Sequence, residues 1–249
     1  MDIDVVTLFP ELIREVERHG VTGRATQRGL ARLRTWNPRD RAGNRQGRVD
    51  DRAYGGGPGM VMQVAPLRDT LSDIRESRDD CGPVLALTPQ GERLSDAWAR
   101  RLARAPHLVL VCGRYEGIDQ RVLDTEIDAE ISLGDFVVSG GELPAMLVLD
   151  AVIRLLPGAL GDDESAADDS FARGLLDHPH YTRPPGEGGD EPVPPVLLSG
   201  DHAAIRRWRL KQALGRTWLH RPDLLDALTL SDEQRALLAE FVAETGAGR

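Results

Sequence analysis

The chain has 249 residues, of which 41% are apolar and 4% aromatic, with 31 basic and 40 acidic side chains. This apolar content can fill a core, which excludes disorder throughout, and the length suits one large domain or a domain of about 150 residues with a smaller partner. Cys81 and Cys112 stand far apart and form no C-x-x-C pair, which excludes a disulfide scaffold and a cysteine zinc site. The acidic start and the lack of an uncharged apolar run of about 18 residues predict neither signal peptide nor membrane span, so we expect a cytoplasmic protein.

The net charge of −9 is unevenly distributed along the chain. Residues 161–191 hold nine acids and two arginines, a net charge of −7. By contrast, residues 24–52 hold nine arginines against three acids, and residues 205–221 hold six basic groups and no acid. Such local stripes can bind phosphates in spite of an acidic total; the alternative is a solvated arginine-rich surface.

The first 160 residues predict alternating strands and helices. Strands are predicted at residues 3–8, 83–87, 108–112 and 131–138, with helices at residues 10–17, opened by Pro10, and 95–105, capped by Ser95. This alternation predicts an α/β domain with a mainly parallel sheet. A further helix at residues 142–156 is apolar nearly all round, interrupted only by Glu142, Asp150 and Arg154, so we expect it to be buried in a core or a subunit interface.

The composition changes after residue 160. The segments GDDESAADD and PPGEGGDEPVPP are typical of linkers. After residue 200 the pattern predicts helices: Asp201 caps residues 203–214 with Gly215 as their stop, Pro222 begins a second helix, and the stretch from Ser231 to Gln234 forms a capping box for a third. We therefore predict an α/β domain over residues 1–160, a flexible acidic linker over 161–175 and a smaller all-helical domain over 176–249.

Three predicted strands lead into loops rich in glycine and polar residues, TPQGE at 88–92, GRYEGID at 113–119 and SGGELP at 139–144. Loops at the carboxyl ends of parallel strands are where open α/β sheets bind ligands, and glycine lets the backbone approach a ligand closely. A single loop of this kind is better interpreted as an ordinary turn, whereas three together favour a binding site.

Several familiar sites are excluded. The only lysine, Lys211, belongs to no P-loop, and the glycine run at residues 55–59 has Met60 where a dinucleotide fingerprint needs its last glycine. No G-x-S-x-G nucleophile elbow occurs. His178 and His180 stand two apart beside prolines and are interpreted as loop or surface histidines, so no metal site is predicted.

Eight strings resemble, in order, motifs of the bacterial tRNA (guanine-N1)-methyltransferases: YGGGPGM at 54–60, LTPQG at 87–91, CGRYEGID at 112–119, GDFVVSGGELP at 134–144, DSF at 169–171, HPHYTRP at 178–184, VPPV at 193–196 and WRLK at 208–211. The resemblance covers about the whole chain. Departures are mild: Phe136 and Ser139 stand where some relatives have tyrosine and threonine, and residues 186–191 make the second linker longer and more acidic.

The resemblance implies a fold and an activity. The α/β domain would end in a deep trefoil knot, and two chains would form a homodimer whose active sites each draw residues from both. S-adenosylmethionine would be the methyl donor, and the acceptor would be N1 of the guanosine directly 3′ to the tRNA anticodon. A role for Mg²⁺ stays an open alternative.

The resemblance also implies residue roles. Because guanine N1 carries a proton at neutral pH, Asp169 would act as the base and Arg154 would stabilise the charge that develops on the guanine. From the residues alone, a pair between Arg154 and Asp150 and a catalytic role for Asp168 stay open. The cofactor positions match Leu87, Pro89, Gly113, Tyr115, Glu116, Leu133, Gly134, Asp135, Phe136, Val137, Val138, Gly140, Gly141 and Pro144. In the basic stretch at residues 205–221, phosphate contacts are expected from Arg206, Arg207, Arg209, Lys211 and Arg216.

Two other functions are compatible with the pattern. A knotted methyltransferase could act on a ribose 2′-hydroxyl, which requires no base for a ring nitrogen. A non-enzymatic RNA-binding module would use the basic stretches, with the glycine-rich loops serving only as turns.

Overall fold

A computed structural model describes residues 1–161, 165–183 and 193–246. The chain divides into two compact units, Met1–Asp163 and Glu164–Arg249. Part of the predicted acidic linker, residues 162–164, and the acidic segment 186–191 lie outside the described residues. Within the described ranges, no helix is both long enough and apolar enough to cross a membrane.

The first unit alternates strands and helices. Its strands are β1 (Asp2–Val6), β2 (Arg32–Trp36), β3 (Asp50–Asp51), β4 (Val61–Met62), β5 (Val84–Arg93), β6 (His107–Cys112) and β7 (Ala129–Ser132). Its helices are α1 (Pro10–Arg14), α2 (Gly20–Gln27), α3 (Val64–Glu76), α4 (Asp96–Leu102), α5 (Gln120–Glu126) and α6 (Glu142–Ile153), with 3₁₀ turns at Glu15–Glu17 and Pro38–Arg41.

Five strands form one parallel sheet in the order β2-β1-β6-β5-β7, which confirms the mainly parallel α/β prediction. Every residue of β6 is buried, as expected for a central parallel strand covered on both faces. Leu87 pairs with Cys112 on one side and with Ile131 on the other, so the carboxyl ends of β5, β6 and β7 lie side by side. The strands β3 and β4 form a separate antiparallel pair.

Helices cover both faces of this sheet. One core contains side chains of α1, α2, α4 and α6, including Ile13, Trp98 and Leu149, packed on β1, β5 and β6. The other contains Leu67 and Ile74 of α3 with Val122 of α5. The unit is therefore a three-layer structure that leaves the strand ends and their loops at the surface.

One strand prediction was wrong, and one loop prediction is confirmed in part. The strand β7 ends at Ser132, and residues 133–138 form a loop, although their valines and phenylalanine are typical of a strand. The predicted loop at 88–92 lies within β5, where residues 88–91 leave the ladder, and the strand continues to Arg93. It does so because Glu92 and Arg93 pair again with Ile131 and Ser132 after an irregularity.

One helix prediction is confirmed and one was wrong. The helix α6 is buried on most sides, as expected of a core helix, and its exposed apolar side chains are Leu143, 49% exposed, and Leu147, 56% exposed. Gly215 does not stop a helix but lies buried inside one, α9 (His202–His220), where a Cβ would stand 2.3 Å from the Phe241 ring. Glycine at this position lets two helices approach closely.

The second unit contains α9 together with α7 (Ser165–Asp168), α8 (Pro195–Leu198), α10 (Pro222–Asp226) and α11 (Asp232–Thr245). Its core is formed by Leu175, Leu214 and Leu237. The caps predicted at Asp201 and Ser231 are confirmed, including the reciprocal bonds of the Ser231 capping box. In the first unit, the predicted cap Ser95 accepts a hydrogen bond from the Trp98 amide.

Candidate active site

A cleft of about 1280 Å³ opens at the carboxyl ends of β5, β6 and β7. Twelve of the fourteen predicted cofactor residues line it: Leu87, Pro89, Gly113, Tyr115, Glu116, Leu133, Phe136, Val137, Val138, Gly140, Gly141 and Pro144. Gly134 and Asp135 are not among the lining residues. The structure therefore brings the three sequence loops together at one edge of the sheet.

The first cleft loop, residues 88–91, protrudes from within β5. Ile131 pairs with both Leu87 and Glu92, so the four residues between these two partners bulge out of the ladder. A Cβ on Gly91 would stand 2.3 Å from the carbonyl carbon of Glu130, so only glycine fits at this crossing.

The second cleft loop, residues 113–119, is hydrogen-bonded to residues 60–62, which include β4. The Glu116 amide donates to the Met60 carbonyl at 2.8 Å, and the Met62 amide donates to the Gly117 carbonyl at 2.9 Å. Tyr115 has a φ of +60°, which is uncommon for an aromatic residue, and strained conformations of this kind are enriched at functional sites. This loop is thus joined by backbone hydrogen bonds to the segment that follows the glycine-rich residues 55–59.

The third cleft loop, residues 133–141, closes against the end of β6. The Gly141 amide donates to the Gly113 carbonyl at 2.8 Å, and a Cβ on Gly141 would stand 2.6 Å from the Cys112 Cα. Earlier in the same loop, Val137 is 83% exposed. Asp135, which does not line the cleft, forms an exposed ion pair with Arg93.

Two titratable groups at or beside the cleft have shifted pKa values. A hydrogen bond from Arg121 lowers the pKa of Asp119, against a smaller opposing effect of burial, so this carboxyl is ionised at neutral pH. Burial, reinforced by the charge of Glu142, raises the pKa of the Cys112 thiol well above its ordinary value. This thiol therefore stays protonated and unreactive.

The sequence interpretation missed one wall of the cleft. Residues 51–54 and 61–64 line it beside the second loop. Tyr54 there is 98% exposed. The YGGGPGM string was the only available signal, because strands of two residues leave no periodicity in the sequence.

The two predicted catalytic residues belong to different units of the chain. Arg154 is half-buried at the C-terminal cap of α6, with its amide bonded to the Asp150 carbonyl. Asp169 is half-buried directly after α7. The rival base, Asp168, is exposed and forms an ion pair of 2.7 Å with Arg173.

A tight turn shapes the backbone around Asp169. Its carbonyl accepts from the Ala172 amide at 3.2 Å, and the Phe171 amide donates to the Leu175 carbonyl at 2.7 Å. Phe171 has a φ of +76°, a conformation that is strained for an aromatic residue. The DSF string is therefore held in a defined conformation rather than in an extended linker.

His178 and His180 lie with Asp177 in the only group of three potential metal ligands among the described residues. His180 Nε2 donates to Asp177 Oδ2 at 2.7 Å, and His178 Nδ1 contacts the Pro179 carbonyl at 3.1 Å. Trp208 of α9 packs nearby, 6.4 Å from the His178 ring. These contacts place the three side chains in a hydrogen-bonded loop.

The five predicted phosphate-binding cations fall into two groups. Arg207 pairs with Glu240 of α11 at 2.6 Å, and Lys211 pairs with Glu244 of the same helix at 2.7 Å. The other group is exposed and forms no ion pair with any residue that the structure describes: Arg206, Arg209 and Arg216. The second group is thus better placed to contact an anionic partner.

The arginines of the first basic stretch divide in a similar way. Arg32 pairs with Asp2, Arg41 pairs with Asp73, and Arg28 donates to the Gly158 carbonyl. Arg52, in contrast, is exposed and lines the cleft. Part of this stretch therefore stabilises the fold, and part of it borders the candidate site.

Comparison with known proteins agrees with the geometry. The family described as tRNA (Guanine-1)-methyltransferase TrmD matches residues 1–227. A tRNA (guanine-N(1)-)-methyltransferase of Methylococcus capsulatus is 59% identical over 244 residues, which cover 98% of this chain and 97% of the relative. The protein of that name from Salmonella typhimurium is 57% identical, covering 98% and 95% of the two chains. The chain therefore belongs to the tRNA (guanine-1)-methyltransferase family.

Proposed function

We propose that the protein transfers a methyl group from S-adenosylmethionine to N1 of the guanosine directly 3′ to the tRNA anticodon. The observation that carries this proposal is the cleft, in which three loops from separate strands bring twelve of the predicted cofactor residues together. Membership of the family supports the reaction type, and the relatives are named for methyl transfer to guanine N1 of tRNA. Such an enzyme works in the cytoplasm, where its tRNA substrate is found.

The lining of the cleft fits S-adenosylmethionine chemically. Apolar side chains such as Leu87, Ile131 and Leu133 can cover the adenine, and the loop backbones can bind its polar edge and the ribose. Glu116 offers a negative charge that complements the ammonium or the sulfonium of the donor. When bound, the donor supplies an electrophilic methyl group on its sulfonium. The volume, about 1280 Å³, exceeds that of most small-molecule pockets and leaves room for an incoming base.

The acceptor must lose a proton before it can react. Guanine N1 is protonated at neutral pH, so its lone pair becomes available only when a base removes that proton. Asp169 is the base in this proposal, because Asp168 is exposed and engaged by Arg173. Arg154 stabilises the negative charge that develops on the guanine, chiefly at O6.

We also propose a homodimer with active sites shared between chains. Leu143 and Leu147 lie one turn apart on α6 and are about half exposed, so they form a small apolar surface that the same surface of a second chain can cover. The cofactor loops and Asp169 belong to different units, which is compatible with a site built from two chains. The resemblance further implies that the α/β domain ends in a trefoil knot.

The helical residues 176–249 are proposed as the tRNA-binding domain; the predicted linker at residues 161–175 is shorter than expected, because Leu175 belongs to the core of the second unit. Arg206, Arg209 and Arg216 of α9 supply phosphate contacts, since they are exposed and form no ion pair with described residues. The target guanine must leave its stack to reach the methyl donor, as chemistry on a base generally requires.

Analysis of the methylated nucleoside tests this function. Labelled S-adenosylmethionine, tRNA and the protein are incubated, and the RNA is digested to nucleosides. We expect 1-methylguanosine as the labelled product. A 2′-O-methylated nucleoside would assign the protein to ribose methylation. If no methylated nucleoside forms and calorimetry detects no binding of S-adenosylmethionine, the protein is a non-enzymatic RNA-binding module instead.

A further inference from the structure

A fully buried carboxylate lies beside the cleft. The side chain of Glu142, the first residue of α6, has no exposed surface. Its Oε1 accepts a hydrogen bond from Thr7 Oγ1 at 2.9 Å, and its Oε2 accepts one from Arg114 Nε at 2.7 Å. Both partners are needed because a carboxylate loses its hydration on burial, and an unpaired buried charge is strongly unfavourable.

Arg114 connects this carboxylate to the third cleft loop. Its Nη1 donates to the Ser139 carbonyl at 3.1 Å, and its guanidinium lies 4.3 Å from the centroid of the Phe9 ring. The loop passes so close that a Cβ on Gly140 would stand 2.2 Å from Arg114 Nε. The absence of a side chain at Gly140 is therefore what allows the guanidinium to occupy this place.

These contacts join three parts of the fold. Thr7 follows β1, Arg114 follows β6 and Glu142 begins α6. Residues 133–141 contain no helix or strand, so their position depends on such contacts rather than on a backbone ladder. The planar guanidinium suits this role, because it can donate to a carboxylate and a carbonyl in different directions at once.

We propose that Arg114 is a positioning residue, which holds the third cleft loop in its cofactor-binding geometry through the ion pair with Glu142 and the hydrogen bond to Ser139. The inference rests on the proposed function, because it assumes that the cleft binds S-adenosylmethionine. Arg114 acts through the loop, and Glu142 anchors Arg114.

The test compares S-adenosylmethionine affinity, measured by calorimetry, with the thermal midpoint of unfolding. Arg114→Gln should weaken binding by about 10-fold, the scale seen when a group that orients binding residues is removed, and should lower the midpoint because the buried Glu142 loses its cation and keeps only the hydrogen bond from Thr7. The double variant Arg114→Gln/Glu142→Gln carries no buried charge, so its midpoint should recover. Its affinity should stay weak, because the bond to Ser139 is still missing.

Two further variants separate positioning from folding. Arg75→Gln breaks an ion pair with Glu126 that lies outside the cleft, so it should lower the midpoint and leave the affinity unchanged. Arg114→Lys keeps a positive charge beside Glu142 and should fold normally. The ammonium of lysine cannot donate to both Glu142 and the Ser139 carbonyl in the geometry of the guanidinium, so we expect weaker S-adenosylmethionine binding in Arg114→Lys as well.

The outcomes are distinguishable. If affinity and midpoint recover together in the double variant, Arg114 is only structural and the inference is wrong. Normal affinity in both Arg114→Gln and Arg114→Lys would overturn it as well. If the unaltered protein itself fails to bind S-adenosylmethionine, the proposed function fails first, and the inference fails with it.

Discussion

The carboxylate of Glu116 lies directly against Gly59. A Cβ at position 59 would stand 2.1 Å from Glu116 Oε1 and 2.4 Å from its Cγ, and Gly59 itself has a φ of +82°. The two segments are also joined by the bond from the Glu116 amide to the Met60 carbonyl. The glycine-rich segment therefore determines where the charged side chain of the second cleft loop can lie.

This relationship predicts the effect of Gly59→Ala. The new methyl group must displace Glu116, and displacements of about 1 Å at a reacting site can lower the rate by about 100-fold. We expect methyl transfer to fall between 10- and 100-fold by that scale. Gly56→Ala is the matched control, because Gly56 has a φ of +76° and open space around its Cβ position.

Both variants should lose a similar amount of stability, about 1–2 kcal/mol, from the left-handed backbone. Steady-state rates and thermal unfolding of the two proteins measure the difference. Equal activity losses in Gly59→Ala and Gly56→Ala would show that contact with Glu116 is unimportant.

The second prediction concerns the base. Asp169→Asn keeps the shape of the side chain but cannot accept the N1 proton, so methyl transfer should fall by at least about 100-fold. Binding of S-adenosylmethionine should persist. Asp168→Asn should retain most activity, because it removes only an exposed ion pair with Arg173. If single-turnover rates instead fall only in Asp168→Asn, the two roles must be exchanged.

The third prediction separates the cations of α9. Replacing Arg206, Arg209 and Arg216 with alanine should weaken tRNA binding. The slope of the logarithm of the binding constant against the logarithm of the salt concentration should become shallower by about 0.7–0.9 for each lost phosphate contact. Replacing Arg207 and Lys211 should mainly loosen the contact with α11. Filter binding over a salt series measures both slopes. An unchanged slope in the triple variant would place these arginines away from RNA.

The fourth prediction tests the shared site by mixing two inactive variants. Asp169→Ala lacks the base, and Gly113→Trp fills the cleft from a position where a Cβ has ordinary contact space, 3.7 Å from Ile118. If the base of one chain serves the cofactor of the other, one site of a mixed dimer carries both defects and the other carries none. Random exchange then restores about a quarter of all sites.

If each chain completes its own site, every site keeps one defect and the mixture stays inactive. Differently tagged subunits must be shown to purify together as the control. Exchange without recovered activity would exclude the shared site and leave the role of Asp169 intact.

The sequence predicts the sheet better than it predicts the walls of the cleft. Strands such as β6 were found because a central parallel strand is a continuous apolar run. Residues 133–138 were misassigned because Phe136 and Val137 favour strands, although both are largely exposed in the structure. The pair β3 and β4 was missed because each strand has only two residues.

Pairing between distant charges could not be predicted at all. The sequence predicts that Arg207 and Lys211 belong to one basic stretch with Arg206 and Arg209. In the structure, each of the two forms an ion pair with a glutamate 33 residues further along the chain. Likewise, nothing in the sequence indicates that Glu142 and Arg114 meet. Ion pairs of this kind depend on the tertiary packing, which local patterns do not contain.

The most direct test of the proposed function uses two tRNA transcripts that differ only in the nucleotide 3′ to the anticodon, guanosine in one and adenosine in the other. With labelled S-adenosylmethionine, we predict that the first transcript acquires about one methyl group per molecule, recovered as 1-methylguanosine, and that the second acquires none. Equal labelling of both transcripts would contradict the account, as would label at any other position.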